Sequence, residues 1–258
     1  MKQWIVLYDK EMLGMLRSYK WLWLPLVFLL LGIMNPVTTY FMPQLLEANG
    51  VSAEAAAAIP VPTAAEVLAK SLSQYNTLGL LILVLAFMGV VAGERLSGAD
   101  VMTLVKPVSH LKLVTAKWAS LLTLTFSSFA LGYAGTWYYT NILIGAVPFS
   151  AVAQSFLVYG VWLTLAVTLT LFFSSLLNSL GGTAFLTLLT LAVLNLSAGF
   201  LERYMRWSPG RLSGAAQALL SEGESASRLW LPLAIGILLA LALAYGSTLA
   251  SKHRQARS

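Results

Sequence analysis

Six stretches of roughly twenty or more consecutive residues contain no Asp, Glu, Lys, Arg or His, and no other feature constrains the fold as strongly. They run approximately over Trp21–Met42, Tyr75–Gly93, Trp118–Ile144, Ala151–Phe173, Gly182–Leu201 and Leu229–Ala250. A helix crosses the hydrocarbon core of a bilayer with about 20 mostly apolar residues. One ionised side chain at its centre costs about 2.5–3.5 kcal/mol on insertion scales. The pattern therefore predicts an all-α membrane protein with six transmembrane helices, forming one domain over residues 1–258. The first stretch is too long for a signal-peptide core and no small-residue cleavage site follows it, so it reads as a retained helix.

Charge says what this chain is not. Charged residues make up 10% of the 258, against roughly 25% in soluble domains. Soluble enzymes, disordered proteins and nucleic-acid binders are excluded on that ground. The formal net charge of +6 then becomes a question of sidedness. Segments 1–20, 94–117, 174–181 and 251–258 hold eleven of the sixteen Lys and Arg residues. The positive-inside rule assigns these segments to the cytoplasm and with them both termini. Four of the remaining five (Arg203, Arg206, Arg211 and Arg228) share the outer segment 202–228. Trp21, Trp23 and Trp118 mark inner ends, and Trp137, Tyr138, Tyr139 and Trp230 outer ends, as lipid anchors at the interfaces.

Between the spans, residues 1–20 read as an interfacial amphipathic helix. Trp4, Ile5, Tyr8, Met12, Met15 and Leu16 recur at three- and four-residue spacing, with Lys2, Asp9, Lys10 and Arg17 largely opposite. Residues 21–93 hold spans one and two and a long outer loop. Within that loop Thr63-Ala-Ala-Glu66 is a capping box, which starts a helix near Ala64. Residues 118–250 hold spans three to six, and 251–258 form a basic tail suited to an anionic leaflet. In the outer segment 202–228, the stretch from Ser213 to Leu220 is a short mildly amphipathic helix candidate, readable as a surface loop or as a plug.

The cytoplasmic loop 94–117 is the most informative segment. Ser97 and Asp100 form a second capping-box pattern that starts a helix at Gly98, and Pro107 stops it by disfavouring α geometry at Lys106. The result is about two turns, roughly 12 Å long. Val101, Leu104 and Val105 form an apolar face too small to be a core. Such an element suits docking in a groove of another protein, or lying on the membrane.

Catalytic machinery is missing from the pattern. His110 and His253 are the two histidines, neither in a zinc-binding arrangement, and no metal site is expected. No span carries a carboxylate pair for ion coupling, and no phosphate-binding Gly-x-x-x-x-Gly-Lys-Ser/Thr loop occurs. An enzyme is not expected, and any active transport must draw energy from a separate subunit. Inside the spans, Asn35–Pro36 is the main polar break. Asn195 and the Ser and Thr residues of spans three to five read as hydrogen-bonding glue between helices or as substrate contacts.

The loop from Gly93-Glu94-Arg95, Ser97 and Gly98 through Lys106-Pro107-Val-Ser109 to Ala116-Lys117 resembles the membrane permeases of type-2 ABC (ATP-binding cassette) exporters. So do Tyr8-Asp9-Lys10-Glu11, Arg17 through Trp21, the six-span layout and the chain length. His110 departs from the family pattern, where a basic residue often stands. The resemblance implies two permease copies, identical or related, in a bacterial cytoplasmic membrane, seated on two ATPase subunits that bind ATP and magnesium. It makes Gly98–Lys106 the coupling helix. Val101 and Leu104 would pack into the ATPase, and Glu94, Arg95, Asp100 and Lys106 would make charge contacts. It lines a translocation path with Asn35, Pro36, Thr39, Asn76 and Asn195. The reading that competes is a membrane scaffold or sensor subunit that docks a soluble partner through the same loop.

Overall fold

In hydrocarbon every backbone N–H and C=O must find a partner inside the protein, and a single apolar segment can only do this as a helix. The computed structural model accordingly contains only helices among its described residues, which are 2–50, 52, 62–98, 109–200, 205, 207–221 and 229–255. In chain order these are α1 (Lys2–Arg17), α2 (Lys20–Tyr40), α3 (Met42–Ala48) and α4 (Ala64–Gln74). A π-turn (Tyr75–Gly79) leads into α5 (Leu80–Phe87) and α6 (Ala92–Leu96). Then come α7 (His110–Leu143), α8 (Phe149–Leu176), α9 (Leu180–Phe200), α10 (Arg211–Ser221) and α11 (Trp230–Gln255).

Among the described residues, five helical segments are long and apolar enough to cross a membrane: Lys20–Tyr40, Ala64–Leu96, Phe149–Leu176, Leu180–Phe200 and Trp230–Lys252. The expected third span lies within α7, the longest helix at 34 residues, whose Ser, Thr, Gly and Tyr content leaves it less apolar than the others. The expected second span, Tyr75–Gly93, is lengthened at its start. The capping box at Thr63 is formed, with the Thr63 amide donating to Glu66 at 2.7 Å and the Glu66 amide donating to the Thr63 hydroxyl at 3.3 Å.

Helix α8 is the axis of the bundle, packed against α5, α7, α9, α10 and α11. Its Tyr159 and Trp162 are fully buried. Phe129 of α7 stacks on Phe156 of α8 with ring centroids 5.0 Å apart and meets the Tyr75 ring edge-on at 5.5 Å. Helix α2 lies along α7, and glycine permits the approach. A Cβ at Gly132 would sit 2.5 Å from the Phe28 carbonyl oxygen and 2.6 Å from the Tyr75 hydroxyl. The outward faces are apolar instead. Leu22, Leu26, Leu30 and Met34 repeat every four residues along α2 and remain exposed, a surface made for lipid.

The hydroxyls behave differently from the interhelical glue expected of them. Thr125, Ser128, Thr164, Thr168 and Thr170 each donate to the carbonyl four residues earlier in their own helix. The nearest acceptor for a short hydroxyl in apolar surroundings is that carbonyl. Between helices, Tyr133 pairs with Ser155 at 2.6 Å and Trp118 donates to Thr168 at 2.8 Å. Trp118 therefore points its polar edge into the bundle rather than toward lipid headgroups. Within segment 202–228, the described residues 207–221 include a helix. Helix α10 is not a surface loop: Leu212, Ser213, Ala216 and Leu219 are buried, and it packs against α4 and α8.

A candidate coupling site at one end of the bundle

One end of the bundle, here the basal end, gathers the start of α2, the C-terminal part of α5, α6, the start of α7 and the C-terminus of α8. Helix α1 lies across it, held on α7 by hydrogen bonds from Trp4 to Thr115 (3.1 Å) and from Tyr8 to Thr123 (3.0 Å). These bonds split the apolar face read from the sequence. Trp4, Tyr8, Met12 and Met15 turn toward the bundle, while Ile5 and Leu16 stay exposed beside Val6 and Leu13.

Beneath α1 sits a cluster of charges. Lys117 projects from the first turns of α7 with its side chain 2% exposed. Its ammonium donates to Glu11 of α1 at 2.8 Å and to Glu94 of α6 at 2.7 Å. Lys10 lies 3.5 Å from the Glu11 carboxylate and 3.6 Å from that of Glu94. Two cations thus face two carboxylates, and the buried Lys117 ammonium is matched on both sides. Burying such a group without partners costs several kcal/mol, so the pairing is a condition for its presence there. Three segments far apart in sequence are locked at one point.

The same end holds a break in the helical run Ala64–Leu96. Between α5 and α6 the i→i−4 ladder is interrupted: the Val90 amide donates to the Phe87 carbonyl at 3.0 Å, and the amides of Val91 and Ala92 turn to another helix. The groups freed there are met by other helices. Lys20 of α2 donates to the Ala86 carbonyl at 2.7 Å. The Ser174 hydroxyl of α8 accepts from the amides of Val91 (3.1 Å) and Ala92 (3.0 Å) and donates to the Met88 carbonyl at 2.8 Å.

Of the residues expected to couple to a partner, Glu94 and Arg95 lie on α6, both half-buried, and Glu94 is paired within the chain. Ser97 donates to the Glu94 carbonyl at 3.0 Å, and Gly98 has φ 70° in the left-handed region. Together they terminate α6, so Gly98 is not itself a helical first residue. Asp100, Val101, Leu104, Lys106 and Pro107 lie outside the described residues. The chain returns at Ser109, whose hydroxyl caps α7 by accepting from the Lys112 amide at 3.4 Å.

The candidates for a path through the membrane lie on α2, the π-turn and α9. Asn35 donates to Gln74 of α4, and Pro36 and Thr39 are buried along α2. Asn76, in the π-turn, accepts from Trp162 of α8 at 2.8 Å. Asn195 stands apart on α9 and donates to Ser213 of α10 at 3.2 Å. Each amide is engaged inside the chain. Sequence reasoning missed Glu11, Lys20, Gln74 and Ser174 as functional candidates. Glu11 carried the only usable signal, a carboxylate turned toward the apolar side of a helix.

Long apolar helices bundled around a buried aromatic core, with charges kept out of the apolar runs, define an integral membrane protein. Over 245 residues the chain is 30% identical to the uncharacterized transmembrane protein YxlG of Bacillus subtilis (strain 168), covering 95% of each chain. It belongs to the same family of transmembrane proteins. No family model matches it.

Proposed function

We propose that this chain is the permease subunit of a type-2 ABC exporter, with six transmembrane spans and both termini on the cytoplasmic side of a bacterial membrane. One observation supports the reading best. The segment 94–117 is bounded by Glu94 on α6 and Lys117 on α7, whose side chains are paired at 2.7 Å and tied to Glu11 of α1. A loop anchored at both roots transmits a push delivered at its tip to the ends of two long helices at once. A loop with loose roots would absorb it. In this reading the tip, with Val101 and Leu104, seats in a cleft of a separate ATPase. ATP and magnesium bind there, and this chain hydrolyses nothing itself.

Two copies of the chain, or one with a related permease, stand on two ATPase subunits, and the path between them is lined by Asn35, Pro36, Thr39, Asn76 and Asn195. The test is co-purification from membranes of the source organism, with a P-loop ATPase sought among the captured proteins. The tagged full-length chain is expected to capture that ATPase, and Leu104→Asp to lose it while inserting normally and keeping its melting temperature. A Leu104→Asp variant that still captured the ATPase and stimulated its hydrolysis would overturn the coupling assignment. Capture of a soluble partner without nucleotide-hydrolysing activity would favour a docking scaffold instead.

A further inference from the structure

We infer that Ser174 is a removable latch that holds a hinge open in the helical run Ala64–Leu96. In an unbroken helix the Ala92 amide would donate directly to the Met88 carbonyl, four residues earlier. Here the Ser174 hydroxyl stands between them, accepting from Ala92 at 3.0 Å and donating to Met88 at 2.8 Å, and it accepts from Val91 at 3.1 Å as well. A side chain inserted into the i→i−4 ladder is one of the few specific causes of a sharp helix kink. Ser174 is fully buried, so water does not compete for these groups.

The latch has a second state of nearly equal bonding. If Ser174 withdraws, Ala92 and Val91 recover the carbonyls of Met88 and Phe87. The freed hydroxyl then takes the carbonyl of Thr170 four residues earlier, as Thr164, Thr168 and Thr170 already do on the same helix. The groups that Ser174 engages keep partners in both arrangements, and only their pairing changes. Such an exchange produces two discrete states rather than a soft bend. Its effect is to redirect α6, the five residues Ala92–Leu96 that carry Glu94 at the root of the loop 94–117. Lys20 steadies the membrane side of the hinge by holding the Ala86 carbonyl, so α6 moves while α5 stays. The latch belongs to this chain alone and does not depend on which partner the loop meets.

The chain has no cysteine, so spin labels can be placed on the full-length protein at will. Leu96→Cys on α6 and Gly181→Cys at the start of α9 are both exposed. Electron–electron distance measurement between them in lipid nanodiscs reports the direction of α6. Threonine and valine at position 174 have the same shape and differ in the hydroxyl. Ser174→Thr is expected to reproduce the parent distance distribution. Ser174→Val should move the ratio of bent to straight populations by about tenfold or more, the effect of leaving buried backbone groups unpaired in the bent state. Identical distributions for Val and Thr would overturn the latch. So would a Val protein that aggregates while the Thr protein stays monodisperse, because the hydroxyl would then serve folding and not a reversible switch.

Discussion

Lys117 stands in the first turns of a long helix, where the sequence marks it as the end of a loop motif but not as a buried cation. Its geometry makes it a buried cation between two carboxylates. With 2% of its side chain exposed and carboxylates at 2.7 and 2.8 Å, it is held by Coulomb attraction that salt screens little. Removing one member of a buried pair is costly because it strands the other. Lys117→Met leaves both Glu11 and Glu94 without their closest cation and is expected to destabilise the protein by about 3 kcal/mol. Glu11→Gln and Glu94→Gln each leave Lys117 one carboxylate and should cost clearly less. Thermal unfolding in detergent at low and high salt checks this, and equal losses for all three variants would contradict the shared-cation arrangement.

Among elements, the contact between α2 and α7 shows how packing replaces the hydrophobic effect in a membrane, where lipid is as apolar as the core. Association there depends on close approach through small residues. At Gly132 an added methyl would meet the Phe28 carbonyl and the Tyr75 hydroxyl, which are themselves hydrogen-bonded at 2.9 Å. Gly14 of α1, by contrast, has nothing within 4 Å of the position a Cβ would take. Gly132→Ala should therefore destabilise by about 1–3 kcal/mol as overpacking. Gly14→Ala should be neutral or raise stability by up to about 1 kcal/mol through helix propensity. Melting temperatures of the two variants side by side test the crossing, and similar effects would mean that α2 and α7 do not pack as described. The glycines were visible in the sequence, but two of nineteen matter here for opposite reasons, and only the neighbouring helix distinguishes them.

For the whole molecule, the excess of basic residues near α1, the loop 94–117 and the tail predicts an orientation by the positive-inside rule. A single cysteine at Glu47, exposed on α3, should react with an impermeant thiol reagent added outside intact cells. One at Ser97, exposed after α6, should react only after the membrane is permeabilised. The reverse pattern would invert the molecule and place the loop 94–117 out of reach of any cytoplasmic ATPase. Helix α10 gives the opposite end its own character, since it is packed on α4 and α8 and bonded to Asn195, and closes that end with buried side chains.

Composition and periodicity alone determined that this chain is a helical membrane protein, roughly where its helices lie, where Thr63 caps one of them, and that its charge collects outside the apolar runs. These are local properties: a run of apolar side chains and a capping box act within a few residues of themselves. The tertiary structure decided what joins them. It placed Lys117 between Glu11 and Glu94, across separations of 106 and 23 residues, and it inserted Ser174 into a helix 82 residues away. Such partners are chosen by how helices cross, which depends on the shapes of both surfaces at once. Neither stretch of sequence contains that information by itself.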